Sequence, residues 1–163
     1  MADAATEPEL PFRILPRLTD VNRDFWTGGQ VGELRFLRCQ SCGYYNHPPT
    51  PICPNCHSKE LRFEAVSGRA TLWTYTVNYQ PWMPGPELPF IVAIVAIPEQ
   101  DGLRLTTNLV GVEPSSADGS GHEVRTSERP AMPVVKIGME LEVTFENHDD
   151  EVWIPLFRPV AGT

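Results

Sequence analysis

The sequence predicts a mainly β chain: a short helix near the start, a small cysteine-bearing module, then a five-stranded barrel. Three observations carry this. All four cysteines fall between positions 39 and 56 as two C-x-x-C pairs. From Gly68 onward, short runs rich in β-branched and aromatic residues recur between Gly, Pro and Asp/Asn turns. Only one short segment, with Leu18, Val21 and Phe25, spaces its apolar residues as a helix does.

Size and charge bound what such a chain can be. Its 163 residues allow one domain, or one small core with a satellite module, and are too few for a barrel enzyme of roughly 250 residues. The hydrophobic fraction of 41% supplies a real core. No apolar run approaches the roughly 18 residues of a membrane span, and no basic-then-apolar start marks a secretion signal. A soluble, cytoplasmic protein with no membrane partner is expected. Residues 1–66 carry 8 acids and 7 bases, a net −1, whereas residues 67–163 carry 13 acids and 6 bases, a net −7. The acidic second half repels polyanions, because affinity for a phosphate backbone comes largely from basic residues releasing counterions. Nucleic acid is therefore disfavoured.

Residues 1–16 are small, acidic and proline-bearing, and read as a mobile tail. Segment 17–30 holds the helix, placed over 18–27 with Thr19 as cap, Asp20 at its positive end, and Gly28 and Gly29 as its stop. So short a helix is marginal alone and needs a surface, either its own domain or a partner. Residues 31–66 form the cysteine module, between strand-like runs at 33–38 and 61–64.

Residues 67–160 form the barrel. Strands are expected at 70–77, 90–97 (a buried central strand), 103–110, 140–145 and 152–157, with Pro155 marking an edge or bulge in the last. Five strands is the count of an OB-type Greek-key barrel. The strand aromatics Trp73 and Tyr75 are assigned to the core. Residues 79–89 carry four prolines and should be a stiff rim presenting Tyr79, Trp82 and Met83. The connection 113–133 is far longer than an ordinary loop, and its Ser/Gly/Asp-rich middle reads as disordered.

The cysteines follow Cys39-x2-Cys42-x10-Cys53-x2-Cys56. Each C-x-x-C turn aims two sulfurs at one point, and a ten-residue interval lets a hairpin bring the turns together as a tetrahedral S4 site. Two disulfides, or redox dithiols, are the competing assignment. The missing secretion signal weakens the first, and a redox dithiol has no need of a second matched knuckle. Zinc is the assigned metal, with iron the other ion such a set accepts, and one Zn²⁺ held by four thiolates leaves no open position for water or substrate, so the metal is expected to be structural. His47 and His57 are then surplus to the site and expected to be exposed or to lie just behind the ligands.

No catalytic set stands out. There is no glycine-rich phosphate cradle, no H-E-x-x-H and no G-x-S-x-G. His122 falls in the long connection, and His148 in a charged turn, Glu146-Asn147-His148-Asp149-Asp150-Glu151, read as a solvated hairpin. Glu140 and Glu142 share one strand face, pointing outward. Aromatic stacking on a barrel would suit single-stranded nucleic acid, but the bases form no stripe.

The order Phe25-Trp26, Gly32-Glu33-Leu34, Cys39-x-x-Cys42-Gly43, Pro48-Pro49, Cys53-Pro54-x-Cys56, then Gly68, Thr74, Pro89, Gly138, Val143 and Phe157-x-Pro159, resembles the DUF35 family over about residues 17–160. The resemblance implies an N-terminal helix, a rubredoxin-like zinc ribbon and a C-terminal OB-fold. It also implies a non-catalytic accessory subunit, in a hetero-oligomer with a thiolase-like or aldolase subunit that acts on acyl-CoA, with steroid side-chain degradation the first guess. Within that reading Phe25, Trp26, Tyr79, Trp82 and Met83 are the expected partner anchors, being the largest apolar groups placed outside the two cores. Arg69, Arg104 and Lys136 are the nominated contacts for CoA phosphates, with salt bridges to glutamates as their other use. An accessory subunit of a polyketide acyltransferase, a stand-alone acyl-CoA or small-ligand module, and a nucleic-acid-binding barrel remain as alternatives.

Overall fold

Helix formation starts later than the apolar spacing suggests. The computed structural model describes residues 13–80, 88–113, 132–149 and 151–161, and in it α1 spans Arg23–Thr27. Thr19 does not cap the helix. Its N–H donates to Asn22 Oδ1 (2.7 Å), and its carbonyl accepts from the Arg23 N–H (2.9 Å), closing a turn ahead of the helix. Val21 is left 41% exposed, so the expected stripe reduces to Phe25, which is 3% exposed.

Gly28 and Gly29 do not stop the chain but carry it into a 3-10 turn, Gly28–Val31. The reason is a close approach. A Cβ on Gly29 would lie 2.5 Å from Trp153 Cβ and 2.6 Å from the Phe145 ring. The stop falls at Gly32, whose φ of 74° is left-handed and cheap only for glycine.

Three short strands follow: β1 (Arg35–Cys39), β2 (Tyr45–Asn46) and β3 (Leu61–Ala65), ordered β2-β1-β3 and antiparallel. The barrel comprises β4 (Arg69–Asn78), β5 (Phe90–Ala96), β6 (Arg104–Leu109), β7 (Glu140–His148) and β8 (Val152–Pro159), closed in the order β4-β5-β6-β8-β7. β4 meets β7 over Arg69–Glu142 to Thr71–Glu140, while β6 meets β8 in parallel at Leu109–Phe157 alone. Pro155, expected at an edge or bulge, lies in a strand flanked on both sides and pairs with Phe145. It is accommodated at the thin β6–β8 seam, where its carbonyl accepts from Thr107 Oγ1 (2.8 Å).

Core-facing residues alternate along β4, β5 and β6: Ala70 and Leu72, then Ile91, Ala93 and Val95, then Leu105 and Leu109. The all-apolar run of β5 is thus buried on alternate residues and half-covered between them. Phe25, Leu34 and Phe36 join the barrel residues in one continuous cluster. The helix therefore folds back on its own chain. Burying a phenylalanine contributes roughly 1.5–3 kcal/mol, which offsets the weak propensity of a five-residue helix.

Trp73 departs from its core assignment. The β4–β5 register slips between Leu72 and Thr74, and this bulge leaves Trp73 53% exposed while Tyr75 returns to the core side. The charged turn is also less solvated than expected. β7 continues to His148, whose Nε2 lies 2.6 Å from Glu146 Oε1, with both side chains near 11–12% exposure. Arg13 binds the same carboxylate (2.9 and 3.3 Å) and Asn108 Oδ1 (2.9 Å), so the tail is tied to the barrel from residue 13. The Glu140 side chain is exposed, and Glu142 pairs with Arg158 (3.0 Å). The long connection is pinned at its ends, Val135 N–H donating to the Glu113 carbonyl (3.0 Å). Its residues 114–131, with His122, lie outside the described residues, as do rim residues Trp82 and Met83. Among the described residues, no helix is long and apolar enough to cross a membrane.

Candidate functional site

The cysteines are presented by two copies of one backbone turn. In the first, Gly43 N–H donates to the Cys39 carbonyl (2.8 Å) and Cys39 N–H to the Tyr44 carbonyl (2.9 Å). In the second, His57 N–H donates to the Cys53 carbonyl (2.9 Å) and Cys53 N–H to the Ser58 carbonyl (2.9 Å). Each turn needs a left-handed residue after its second cysteine: Gly43 at φ 78° and His57 at φ 61°. That backbone duty, not proximity to the metal, explains where His57 sits. A hydrogen bond between Ser41 and Ser58 (2.8 Å) ties the turns together.

The four sulfurs lie within 4.8 Å of one another, with Cys39–Cys56 at 3.5 Å and Cys42–Cys53 at 3.7 Å. A disulfide needs about 2.05 Å, and these cysteines are free thiols. A tetrahedral zinc site with Zn–S of about 2.3 Å has sulfur edges near 3.8 Å, so the donor set fits the ion in number, chemistry and spacing. Asn55 Nδ2, 3.5 Å from Cys42 Sγ, helps hold that thiol down at about 6, the Tyr44 N–H adding to the effect. At Cys56 the Ser58 N–H pulls the pKa down, but Cys42, burial, Cys39 and Cys53 together push that thiol up to about 12, the mutual opposition of four close sulfurs that a bound cation relieves. Cys39 and Cys53 are buried and Cys42 and Cys56 exposed, which suits a centre that staples a hairpin rather than one that admits substrate.

A second feature escaped the sequence. A groove of about 530 Å³ runs between α1, the chain after β2, and the outer side of the β6–β8 seam. Phe25, Trp26, His47 and Pro48 form one wall, and Arg104, Thr106, Asn108, Ile154 and Leu156 are among the residues of the other. His47 is neither exposed nor behind the cysteines. Its ring stands 4.9 Å from Phe25 and 5.1 Å from Phe36, and burial pushes its pKa from 6.5 down to about 4. The only sequence cue was its position before Pro48-Pro49, which carried no sign of aromatic neighbours.

Of the proposed partner anchors, Phe25 lies inside the core rather than outside it, and Trp26 packs half-buried against that core with its ring edge-on to Phe25 (4.8 Å). Tyr79 is 54% exposed. The nominated phosphate contacts are exposed and sit on separate elements: Arg69 on β4, Arg104 on β6, Lys136 before β7. Among the described residues none of the three pairs with a carboxylate. Arg104 instead lies over the Trp73 ring at 3.9 Å.

Comparison with known proteins agrees with this architecture. Residues 26–62 match the family described as ChsH2, rubredoxin-like zinc ribbon domain, and residues 63–146 the family described as ChsH2, C-terminal OB-fold domain. A solved chain described as "Ltp2-ChsH2(DUF35) aldolase" is 30% identical with a TM-score of 0.70, over 89% of this chain and 98% of that one. A DUF35 protein of unknown function from Sulfolobus solfataricus, at 15% identity and TM-score 0.54, shares the fold. The chain is 32% identical over 144 residues to a probable enoyl-CoA hydratase alpha subunit of Thermomonospora curvata, covering 86% of this chain and 39% of that protein. It is 34% identical over 91 residues to the 3-oxo-4,17-pregnadiene-20-carboxyl-CoA hydratase alpha subunit of Mycobacterium tuberculosis, covering 56% of this chain and 28% of that protein. It therefore spans well under half the length of either hydratase subunit. Its two-knuckle ribbon, its closed five-stranded barrel and these matches place the chain in the ChsH2-like DUF35 family of zinc-ribbon and OB-fold proteins.

Proposed function

We propose that this chain is a non-catalytic accessory subunit, stapled by one zinc ion on Cys39, Cys42, Cys53 and Cys56, that docks on a thiolase-superfamily enzyme and helps hold its acyl-CoA. The observation that carries the reading is the likeness, along nearly the whole of that chain, to the chain described as "Ltp2-ChsH2(DUF35) aldolase". A weaker relative, the benzoylsuccinyl-CoA thiolase subunit BbsA of Thauera aromatica, points to the same company. The donor set supports the metal assignment: four thiolates fill a tetrahedral zinc, whose part is to fix the hairpin and not to activate water. Exposed Tyr79, three residues before Trp82 in the sequence, remains the proposed anchor, since aromatic groups dominate interface energies.

A second reading has its own support. The 32% identity across most of the chain to an enoyl-CoA hydratase alpha subunit favours a hydratase as the enzyme served. One assay separates the two. A thiolase-like aldolase and an enoyl-CoA hydratase from the same organism are each assayed with and without the zinc-loaded chain. Stimulation of the aldolase or thiolase, with none by the chain alone, supports the first reading. Stimulation of the hydratase alone supports the second, and turnover by the purified chain itself contradicts both.

A further inference from the structure

The groove between α1, the ribbon and the β6–β8 seam has the chemistry of a small-ligand site. Its volume of about 530 Å³ falls in the usual range for such sites, roughly 300–1,000 Å³. Aromatic and aliphatic side chains dominate its walls, with Phe25, Trp26, Ile154 and Leu156 the largest. Two polar groups stand out against them. The His47 ring, set between Phe25 and Phe36, has no hydrogen-bond partner among the described residues.

Arg104 is the one charged residue among those lining the groove, in a chain of net charge −8. Its guanidinium carbon lies over the Trp73 ring, 3.9 Å from the centroid, and the group engages no carboxylate among the described residues, although acids outnumber bases 21 to 13. Stacking on one face fixes the side chain but leaves its in-plane N–H groups free, the fork that matches a carboxylate's two oxygens. One fixed positive charge suits one negative charge. The several negative charges of a CoA head group would find only this one cation among the lining residues.

We infer that this groove binds a monocarboxylic acid with an apolar body, its carboxylate held by Arg104 on its Trp73 platform and its body lying along Phe25, Trp26 and Leu156. The inference goes beyond the accessory role, because the site belongs to this chain alone. It is tested without any partner enzyme, so its failure leaves the docking proposal standing and failed docking leaves it untouched.

The test is calorimetric titration of the full zinc-loaded chain with sodium octanoate, octylammonium, octanol and octanoyl-CoA. Octanoate should bind one per chain and at least tenfold more tightly than octylammonium or octanoyl-CoA. Arg104→Gln should weaken octanoate about tenfold while leaving octanol unchanged, and Trp73→Ala should weaken it severalfold by freeing the guanidinium. Thr106→Trp, which fills the groove from an exposed strand position, should abolish binding of both. Thermal midpoints confirm that each variant is folded. Equal binding of the cation, an unaffected Arg104→Gln variant, tighter binding of octanoyl-CoA, or no octanoate binding at about 10 mM, a level at which even millimolar affinity is visible, would overturn the assignment.

Discussion

Gly29→Ala adds one methyl group where the structure has no room for it. The new Cβ would lie 2.5 Å from Trp153 Cβ and 2.6 and 2.8 Å from two atoms of the Phe145 ring, all inside contact distance. Trp153 Cβ is fixed by the β8 backbone, so it cannot swing away as the tip of a flexible side chain would. Overpacking of this kind costs about 1–3 kcal/mol. Stiffening the unfolded chain returns about 0.4–1 kcal/mol, since Gly29 carries no left-handed φ that alanine would strain. The net loss is about 1–2 kcal/mol. In a chain of 163 residues, at roughly 2–4 °C per kcal/mol, Tm should fall by roughly 2–8 °C. Thermal unfolding followed by circular dichroism reads this, with exposed Gln30→Ala as a control within about 0.5 kcal/mol. An unchanged or raised Tm for Gly29→Ala would refute the docking of the 3-10 turn on β7 and β8. It would mean that the helical segment is free to serve a partner.

Cys53→Ser should lower zinc from one per chain to well below one by elemental analysis, and should unfold the ribbon, because thiolate ligands supply its folding energy. His47 should make the protein acid-sensitive. Its folded pKa of about 4 lies below the ordinary 6.5, so the unfolded chain takes up the proton first. The stability held above pH 6.5 should decline towards pH 4 by up to about 1.4 kcal/mol per pH unit. His47→Phe should flatten that slope relative to wild type at equal zinc content, as read by Tm against pH. Arg13→Gln should raise the Glu146 pKa in an NMR titration. Burial pushes that carboxyl up, but hydrogen bonds from Arg13 and His148 hold it below the usual carboxylate range. Its contribution is present above the unfolded carboxyl pKa and disappears as pH falls through the lower folded value, a loss the variant brings to higher pH.

What was legible in the sequence was what neighbours in the chain decide. The cysteine spacing locates the two knuckles because each is a local turn. Strand alternation places β4 to β8 because each strand has one face turned to a common core. What escaped was decided at a distance. Gly28 and Gly29 look like a helix stop, yet Gly29 is required by side chains of β7 and β8 more than a hundred positions away. Trp73 fits a core strand by pattern, and a single bulge turns it outward to carry Arg104. His47 reads as a histidine left over from the metal site, and only the return of Phe25 onto β1 encloses it. The parallel contact of β6 with β8 joins strands separated by the longest connection, which no local pattern encodes.

The accessory-subunit account stands most directly on native mass spectrometry of this chain co-expressed with a thiolase-like aldolase from the same organism. The account predicts a hetero-oligomer whose mass contains whole copies of the 18.2 kDa chain, each carrying one zinc ion. It also predicts that Tyr79→Ser, at an exposed position, weakens the assembly without releasing metal. A zinc-loaded wild-type chain that never enters a complex with the aldolase would contradict it.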